Sequence, residues 1–265
     1  MTRREWLAQA ADRLARQGFE AARLEAELLL CFAEGRSGDR AWLIAHDLEP
    51  PTPAADPLLE RRARHEPLAY ILGTREFFGR SFRVGPGVLI PRHETEILVE
   101  LALDLIDLHG VGRVLDLGTG SGCIAITLAA ERPVSVTGVD ISRAALEIAR
   151  LNDTLGTVHW IEHDGIPARS FDLVVSNPPY ISVHEKLSRE VSEYEPAEAL
   201  FAGDDALGFY KRIAEAATGC KRVAVEIGRG QHDAVAAIFA QQGWRLEQSR
   251  RDLSKVIRAL AFYLP

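Results

Sequence analysis

The first part of the chain has the apolar spacing of helices. Thr2 and Glu5 are spaced as a capping box, and apolar residues then recur at helical intervals until Gly18. Further helical patterns, separated by glycine or proline, cover residues 20–33, 38–46 and 56–65. Residues 1–72 are therefore predicted to form a small N-terminal helical bundle.

A different pattern begins near residue 111, where short β-branched runs alternate with helical stretches. The strand-like runs cover residues 113–117, 134–139, 157–161, 171–176, 222–227 and 255–262. The helical stretches cover residues 94–108, 122–131, 142–151, 207–218 and 230–242. This alternation predicts an α/β fold with a doubly wound, mostly parallel sheet, whose ligands bind beyond the carboxyl ends of its strands.

Between these two parts, a β-hairpin is predicted from two short runs that flank Gly79 and Arg80. The runs cover residues 75–78 and 81–84. We therefore divide the chain into a helical bundle, a connecting β-hairpin and a larger domain, at residues 1–72, 73–91 and 92–265.

Composition narrows the class of protein without identifying it. The 265 residues are 47% hydrophobic and 26% charged, which is enough for a full-sized core. No apolar run is long enough to span a bilayer, and Glu5 and Asp12 interrupt the start, where a signal peptide is apolar. These features predict a cytoplasmic protein that does not bind membranes.

Charge and cysteine usage argue against two further classes of site. The formal net charge of −7 speaks against direct nucleic-acid binding, because phosphate backbones are held by basic surfaces. Cys31, Cys123 and Cys220 lie far apart, and the eight histidines show no zinc-ligand spacing. We therefore expect neither a disulfide framework nor a metal site.

A glycine-rich turn follows the first strand of the larger domain. Gly118, Gly120 and Gly122 come directly after Asp116 and before a helix, so a ligand can approach bare backbone there. A dinucleotide site requires G-x-G-x-x-G/A, and Cys123 makes that version fit poorly. The spacing resembles instead the G-x-G-x-G turn of S-adenosylmethionine-dependent methyltransferases.

Acidic residues come at the ends of three strands near this turn. Asp140 lies where a carboxylate can accept both hydroxyls of a ribose, but it can also be a helix N-terminal charge ahead of Ser142. Asp116 suits a cofactor amino group, or is an ordinary strand-end carboxylate. Asp164 either accepts a hydrogen bond from the adenine amino group or forms a turn with Gly165.

The sequence Asn177-Pro178-Pro179-Tyr180 follows the buried run 171–175. The prolines fix two φ angles and remove two donors, so the turn presents the Asn177 side chain and bare carbonyl oxygens in one geometry. Converging acceptors of this kind hold a planar amino group, with Tyr180 available to cover its flat face. The alternative is an ordinary Asn-Pro turn with a core tyrosine.

Together these motifs resemble the glutamine N5-methyltransferases that modify class I peptide chain release factors. The matching segments are Glu66 to Gly73, Leu89 to Arg92 with Thr95 and Glu96, Asp116 to Gly122, Asn177 to Tyr180, and Glu195 to Pro196 with Ala199 and Leu200. The chain departs from the family pattern at His93, and at Gly165, where a residue that covers the adenine is usual. The resemblance implies a seven-stranded methyltransferase sheet, S-adenosylmethionine as cofactor, and a helical bundle that recognises the release factor.

The resemblance also gives roles to individual residues. Catalysis falls to Asn177, Pro178 and Tyr180, and substrate binding to Asn177, Pro178, Pro179 and Tyr180. The residues implied to bind the cofactor are Gly118, Thr119, Gly120, Ser121, Gly122, Asp140 and Asn177. Asp116 and Asp164 are added to this set because they lie at strand ends. The implied chemistry is a direct methyl transfer to an amide nitrogen that is held by acceptors, without a metal.

Other functions share parts of this pattern. Methyltransferases acting on a ribosomal protein glutamine or on the amino group of a nucleic-acid base also carry Asn-Pro-Pro-Tyr, although the latter need a basic surface. An NAD-dependent oxidoreductase shares the glycine turn but leaves Asn-Pro-Pro-Tyr unexplained. A cofactor sensor or an RNA-processing scaffold without catalysis stays open. We expect a monomer with a protein substrate.

The segment 181–205, directly after the Asn-Pro-Pro-Tyr turn, carries seven carboxylates and two cations. It is either a solvated acidic face or a surface that attracts a basic loop of the partner.

Overall fold

The computed structural model describes residues 1–265 and contains twelve α-helices and nine β-strands. The helices are α1 Arg3–Arg16, α2 Ala22–Ala33, α3 Arg40–Ala45, α4 Ala55–Ala63, α5 Leu68–Leu72, α6 Glu96–His109, α7 Cys123–Glu131, α8 Arg143–Asn152, α9 Arg189–Ser192, α10 Ala197–Leu200, α11 Gly208–Ala216 and α12 His232–Gln241. The strands are β1 Thr74–Phe77, β2 Arg80–Arg83, β3 Arg113–Leu117, β4 Ser135–Asp140, β5 Val158–Glu162, β6 Leu173–Ser176, β7 Arg222–Glu226, β8 Arg245–Arg251 and β9 Ile257–Tyr263. None of the helices has both the length and the apolar character needed to cross a membrane.

Two compact units divide the chain. One contains Met1–Gly73 together with Ser188–Tyr194, and the other contains Thr74–Leu187 together with Glu195–Pro265. The first unit, called the helical unit below, thus takes in a short segment from far along the chain. We call the second the sheet unit.

The helical unit is built on an apolar core from α1 to α5. Thr2 accepts from the backbone N–H of Glu5, whose side chain accepts in return from Thr2, so the predicted capping box is present. Trp6, Leu14 and Leu29, three of the core side chains of α1 and α2, are at most 2% exposed. The predicted helical bundle is confirmed, and α5 is a helix that the pattern did not indicate.

A buried arginine ties the distant segment 188–194 into the helical unit. Arg62, whose side chain is 4% exposed, binds both carboxylate oxygens of Glu25 and also Glu190 at 2.7 Å. Its guanidinium lies 3.9 Å from the centre of the Phe19 ring and donates to the carbonyl of Glu66. One cation therefore joins α2, α4 and α9.

The predicted hairpin is present, but its turn lies one residue earlier than the sequence indicated. β1 pairs antiparallel with β2, and Phe77 lies opposite Arg80, so Phe78 and Gly79 form the turn. Both have positive φ, 50° and 69°, which is the backbone of a type I′ turn. Phe78 is the strained member, because only glycine adopts this region freely.

The sheet unit contains one seven-stranded sheet in the order β5-β4-β3-β6-β7-β9-β8. The first five strands in this order are parallel, and β9 runs antiparallel to both β7 and β8. The doubly wound, mostly parallel α/β fold is confirmed. β8 is missing from the strands that the sequence pattern indicated.

Helices cover both faces of this sheet because neighbouring strand residues point to opposite sides. Val114 and Leu173 pack in one apolar cluster with α6 and α7. Leu115 and Val174, the next residue along each strand, pack in a second cluster with α11 and α12. Both faces are therefore dry, and polar groups collect at the ends of the strands.

We predict that Arg62 is a main source of stability in the helical unit. Arg62→Ala should lower the free energy of unfolding of that unit by about 3 kcal/mol, because it leaves Glu25 without its buried partner. Native-state hydrogen exchange of α2 and α4 measures this loss.

The matched control is Arg16→Ala. Arg16 pairs with Asp12 through side chains that are 76% and 59% exposed, so its loss should cost less than about 1 kcal/mol. Equal losses in the two variants would contradict the role given to Arg62.

Candidate active site

The parallel register places the predicted site residues at one edge of the sheet. Leu117 of β3 lies opposite Val139 of β4 and Ser176 of β6, so Asp140 and Asn177 flank the glycine turn on its two sides. Ser176 in turn lies opposite Val225, which places Glu226 next to Asn177. The glycine turn and the Asn-Pro-Pro-Tyr turn are therefore neighbours at the carboxyl edge.

The glycine turn exposes backbone to open space. Gly118, Gly120 and Gly122 all have positive φ, between 55° and 80°. A Cβ built on Gly118 or Gly120 would meet no atom within 4 Å, whereas one on Gly122 would lie 2.8 Å from Trp160. The first two glycines thus border room for a ligand, and the third is required for packing.

Asp116 is fully buried beneath this turn. Its Oδ2 accepts from the Thr119 hydroxyl at 2.6 Å and from the Ala125 backbone N–H at 3.1 Å. Its Oδ1 is buried without a hydrogen-bond partner. Burial raises the pKa of Asp116 to about 7, against the smaller opposing effect of these bonds. A buried acceptor of this kind is suited to a cationic or amino group.

Asp140 connects the turn to the next helix. Its Oδ2 accepts from the Gly120 N–H at 2.8 Å, and its Oδ1 accepts from the Ser142 N–H at 2.9 Å. Burial raises the pKa of this carboxyl, and the backbone donors oppose that shift. Since a carboxylate has about four lone-pair positions, it can still accept from a ligand. The bond from Ser142 agrees with the helix N-terminal interpretation of Asp140, and binding of a ribose stays a prediction.

The remaining predicted cofactor residues differ in access. Thr119 and Ser121 lie within the turn but are buried, with 4% and 2% of their surface exposed. Asp164 lies two residues beyond the end of β5, is exposed and bonds no other residue. Ile141, which the sequence analysis did not single out, follows Asp140 and is 65% exposed. An apolar residue directly after the strand-end Asp140 was the only sequence signal for it.

Asn177 is held in one orientation by Thr95. The Asn177 Nδ2 donates to the Thr95 hydroxyl oxygen at 3.1 Å, so its Oδ1 is left as an acceptor. Asn177 and Pro179 are half-buried, and Pro178 is buried. The side chain thus presents an acceptor, and this orientation follows from the hydrogen bond.

Tyr180 is fixed at both ends by the β7–α12 connection. Its hydroxyl donates to Glu226 Oε1 at 3.3 Å, and its carbonyl accepts from Gln231 Nε2 at 3.2 Å. A Cβ on Gly228 would lie 2.9 Å from Gln231 Oε1 and 3.1 Å from the Tyr180 ring, so the close approach of these side chains favours glycine here. The sequence analysis assigned no role to Glu226, Gln231 or Gly228.

An ion pair between the buried Glu195 and the half-buried Arg92 fixes the segment before Thr95. Glu195 is 6% exposed and accepts from the Ile90 backbone N–H at 2.9 Å and from the Arg92 guanidinium at 2.5 Å. Two of the segments that carry the family resemblance, near residues 90 and 195, therefore bind each other.

The acidic segment 181–205 is largely neutralised by ion pairs. Glu190 binds Arg62, Glu193 binds Arg189, Glu195 binds Arg92, and Asp205 binds Lys211. Four of its seven carboxylates thus have a cationic partner, which weakens the interpretation as a general attractor of basic loops. No cluster of three or more His, Cys, Asp or Glu side chains suitable for a metal ion is present.

Comparison with known families gives two successive matches. Residues 5–73 match the PrmC N-terminal domain, and residues 93–195 match the methyltransferase small domain. The second match contains both the glycine turn and the Asn-Pro-Pro-Tyr turn.

Individual relatives match over almost the whole chain. A release factor glutamine methyltransferase of Bordetella pertussis is 42% identical, over 91% of this chain and 95% of its own length. A bifunctional methyltransferase of Rickettsia bellii is 37% identical, over 98% of this chain but only 54% of its own length. The chain therefore spans about half the length of the bifunctional relatives that it matches.

A solved structure supports the fold alone. The hMettl16 catalytic domain, in complex with the MAT2A 3'UTR hairpin 6, has a TM-score of 0.58 at 19% identity, over 78% of this chain and 82% of its own. Since the Bordetella relative is 42% identical over 95% of its own length, the chain belongs to the release factor glutamine methyltransferase family.

Proposed function

We propose that this protein transfers a methyl group from S-adenosylmethionine to the side-chain amide nitrogen of a glutamine in a class I peptide chain release factor. The observation that carries this proposal is the fixed orientation of Asn177, whose Nδ2 is bound to Thr95 and whose Oδ1 is left as an acceptor. A primary amide has two N–H groups, and Asn177 Oδ1 with the Pro178 carbonyl supplies one acceptor for each. The amide nitrogen is then held in place.

The residues of the glycine turn fit S-adenosylmethionine. The unpartnered Oδ1 of Asp116 suits its amino group, and the Asp140 carboxylate suits the ribose hydroxyls. Gly118 and Gly120 leave open space, so that the cofactor can lie directly against the backbone of the turn. Ile141 offers an apolar face for the adenine, the role that Gly165 cannot fill. Thr119, Ser121, Gly122 and Asp164 remain proposed neighbours of the cofactor.

The chemistry is one of positioning. When bound, S-adenosylmethionine supplies an electrophilic methyl group. Asn177 and Pro178 hold the glutamine nitrogen with its remaining lobe free, and Tyr180 covers the amide plane. An amide nitrogen is a poor nucleophile, so the acceptors also stabilise the positive charge that develops on it. Its proton can leave after the transfer, so the site requires no strong base.

The substrate assignment rests on the family. The Bordetella relative carries release factor glutamine methyltransferase as its name, and it is aligned over 95% of its own length. We propose that the helical unit recognises the release factor, and that the protein acts as a cytoplasmic monomer on translation termination factors. The net charge of −7 supports a protein substrate without direct nucleic-acid binding.

The decisive experiment is mass spectrometry of purified release factors after incubation with this protein and isotopically labelled S-adenosylmethionine. We expect one labelled methyl group on the side-chain amide of a glutamine. A label on a ribosomal protein or on RNA, with none on release factors, would overturn the substrate assignment.

Two variants of Asn177 test the site in the same reaction. Asn177→Ala removes the acceptor and should slow single-turnover transfer by more than about 100-fold with little change in cofactor affinity. Asn177→Asp keeps an acceptor and should retain more activity than Asn177→Ala. Transfer by Asn177→Ala at the parent rate would contradict the acceptor role.

Ile141 gives a separate test of the cofactor site. Ile141→Ser should weaken S-adenosylmethionine binding about 10-fold, because about 1.4 kcal/mol of apolar contact is lost, and calorimetry measures this. The control is Leu108→Ser, since Leu108 is also 65% exposed but lies on α6, before β3. Unchanged affinity in Ile141→Ser would remove Ile141 from the site.

A further inference from the structure

Glu226 is a buried carboxylate with no role in the reaction as described so far. It is the last residue of β7 and is 1% exposed. Its Oε1 accepts from the Tyr180 hydroxyl at 3.3 Å, whereas its Oε2 is buried without a hydrogen bond of normal geometry. A buried acceptor without a donor lowers the stability of the fold. The position of this one beside the Asn-Pro-Pro-Tyr turn therefore requires an explanation.

Thr95 supplies the complementary group. It is 3% exposed, and its hydroxyl oxygen accepts from Asn177 Nδ2 at 3.1 Å, so the hydroxyl proton remains available for donation. Because Ser176 lies opposite Val225, Glu226 lies next to Asn177, to which this hydroxyl is bonded, and the hydroxyl lowers the pKa of the Glu226 carboxyl. An unused donor and an unused acceptor therefore lie next to each other behind Asn177.

We propose that Glu226 is a positioning residue for the methyl transfer, which acts on Asn177 through the Thr95 hydroxyl and on Tyr180 directly. This inference rests on the proposed function. An ionised carboxylate can only accept hydrogen bonds, so the Thr95 hydroxyl donates to Glu226. The oxygen of the same hydroxyl then remains the acceptor for Asn177 Nδ2. Asn177 Oδ1 is then directed at the substrate amide.

The protonated form of Glu226 loses this control. It can donate to Thr95, and the Thr95 proton is then free to bond Asn177 Oδ1. That bond would turn the Asn177 amide over and direct its NH2 at the substrate NH2, where two donors face each other. The ionised form is therefore the competent one.

The environment of Glu226 sets the pH at which this change occurs. Burial raises its pKa to about 7, and Glu94 adds to this, while the nearby Thr95 hydroxyl, the bond from Tyr180 and the charge of Arg258 act in the opposite direction. The competent, ionised form thus prevails above about pH 7. Transfer should slow as the pH falls below that value.

Other groups near the site titrate elsewhere or act on another step. Burial raises the pKa of Cys123 to about 12 and that of Tyr210 far above its usual value. Asp116 also has a pKa of about 7, but it lies under the glycine turn. Its ionisation should alter cofactor affinity, and not the rate once the cofactor is saturating.

The test compares Glu226→Gln, Thr95→Val and Thr95→Ser with the parent. Single-turnover transfer is measured at saturating cofactor between about pH 6 and about pH 8.5. At the upper end, Glu226→Gln and Thr95→Val should each slow transfer by about 10- to 100-fold, with KM for the release factor little changed. Thr95→Ser, which keeps the hydroxyl, should stay within about threefold.

Two further readouts separate positioning from a general structural effect. The fall in rate below pH 7 should be present in the parent and absent in Glu226→Gln. The double variant Glu226→Gln/Thr95→Val should be no slower than the slower single variant, because both changes break the same chain of hydrogen bonds. Independent, multiplying losses would overturn the route through Thr95.

Stability serves as a folding control. The pKa of Glu226 is raised from 4.5 to about 7, so its contribution to stability is greatest below about pH 4.5 and is lost as the pH rises through about 7. Glu226→Gln should therefore be at least as stable as the parent at pH 8. If Glu226→Gln were slow and also unfolded, the comparison of Thr95→Val with Thr95→Ser would test the proposal in its place.

NMR distinguishes failure of this inference from failure of the proposed function, because it needs no substrate. The Asn177 side-chain NH2 resonances, identified by their loss in Asn177→Asp, should shift with a midpoint near pH 7 in the parent and not in Glu226→Gln. An absence of this shift in the parent would overturn the inference. A shift without methylation of release factors would overturn only the proposed function.

Discussion

The parallel pairing of β3 with β4 and β6 is the constraint on which the site depends. Because parallel strands end at the same edge, one register places the glycine turn, Asp140 and Asn177 side by side, although they lie far apart in sequence. A shift of one residue in either pairing would reverse the facing of a whole strand. The apolar clusters on both faces prevent such a shift, so the packed core fixes the geometry of a polar site that it does not touch.

The same edge carries an electrostatic cost. Asp116 and Glu226 are both fully buried, both have a pKa raised to about 7, and each has one oxygen without a hydrogen bond. Strands covered on both sides by helices force their last residues out of water, so a carboxylate there is ionised only at the expense of folding free energy. Such local conflicts with stability are expected where a protein binds or reacts.

Much of this molecule could be predicted from local sequence. Alternating strand and helix patterns gave the sheet, and the two turns gave the edge where the site lies. β8 was not predicted, because its residues are mainly polar. It pairs only with β9 at the edge of the sheet, so it lacks the apolar run of a central strand. The contact between Thr95 and Asn177 joins residues 82 positions apart. No spacing or propensity encodes it, because it exists only after the sheet has formed.

Residues 188–194 belong to the helical unit, and this limits how the two units can be separated or exchanged. The chain passes between its two units three times, at residues 73, 187 and 194, since this short segment packs with the helices that come first in the sequence. The helical unit is therefore not a cassette that can be exchanged at one junction. A chimera that replaces only the first 73 residues would pair a foreign α4 with the original Glu190, and the exchange would have to include both pieces. Substitutions in α4 should consequently co-vary among related sequences with substitutions in the segment 188–194.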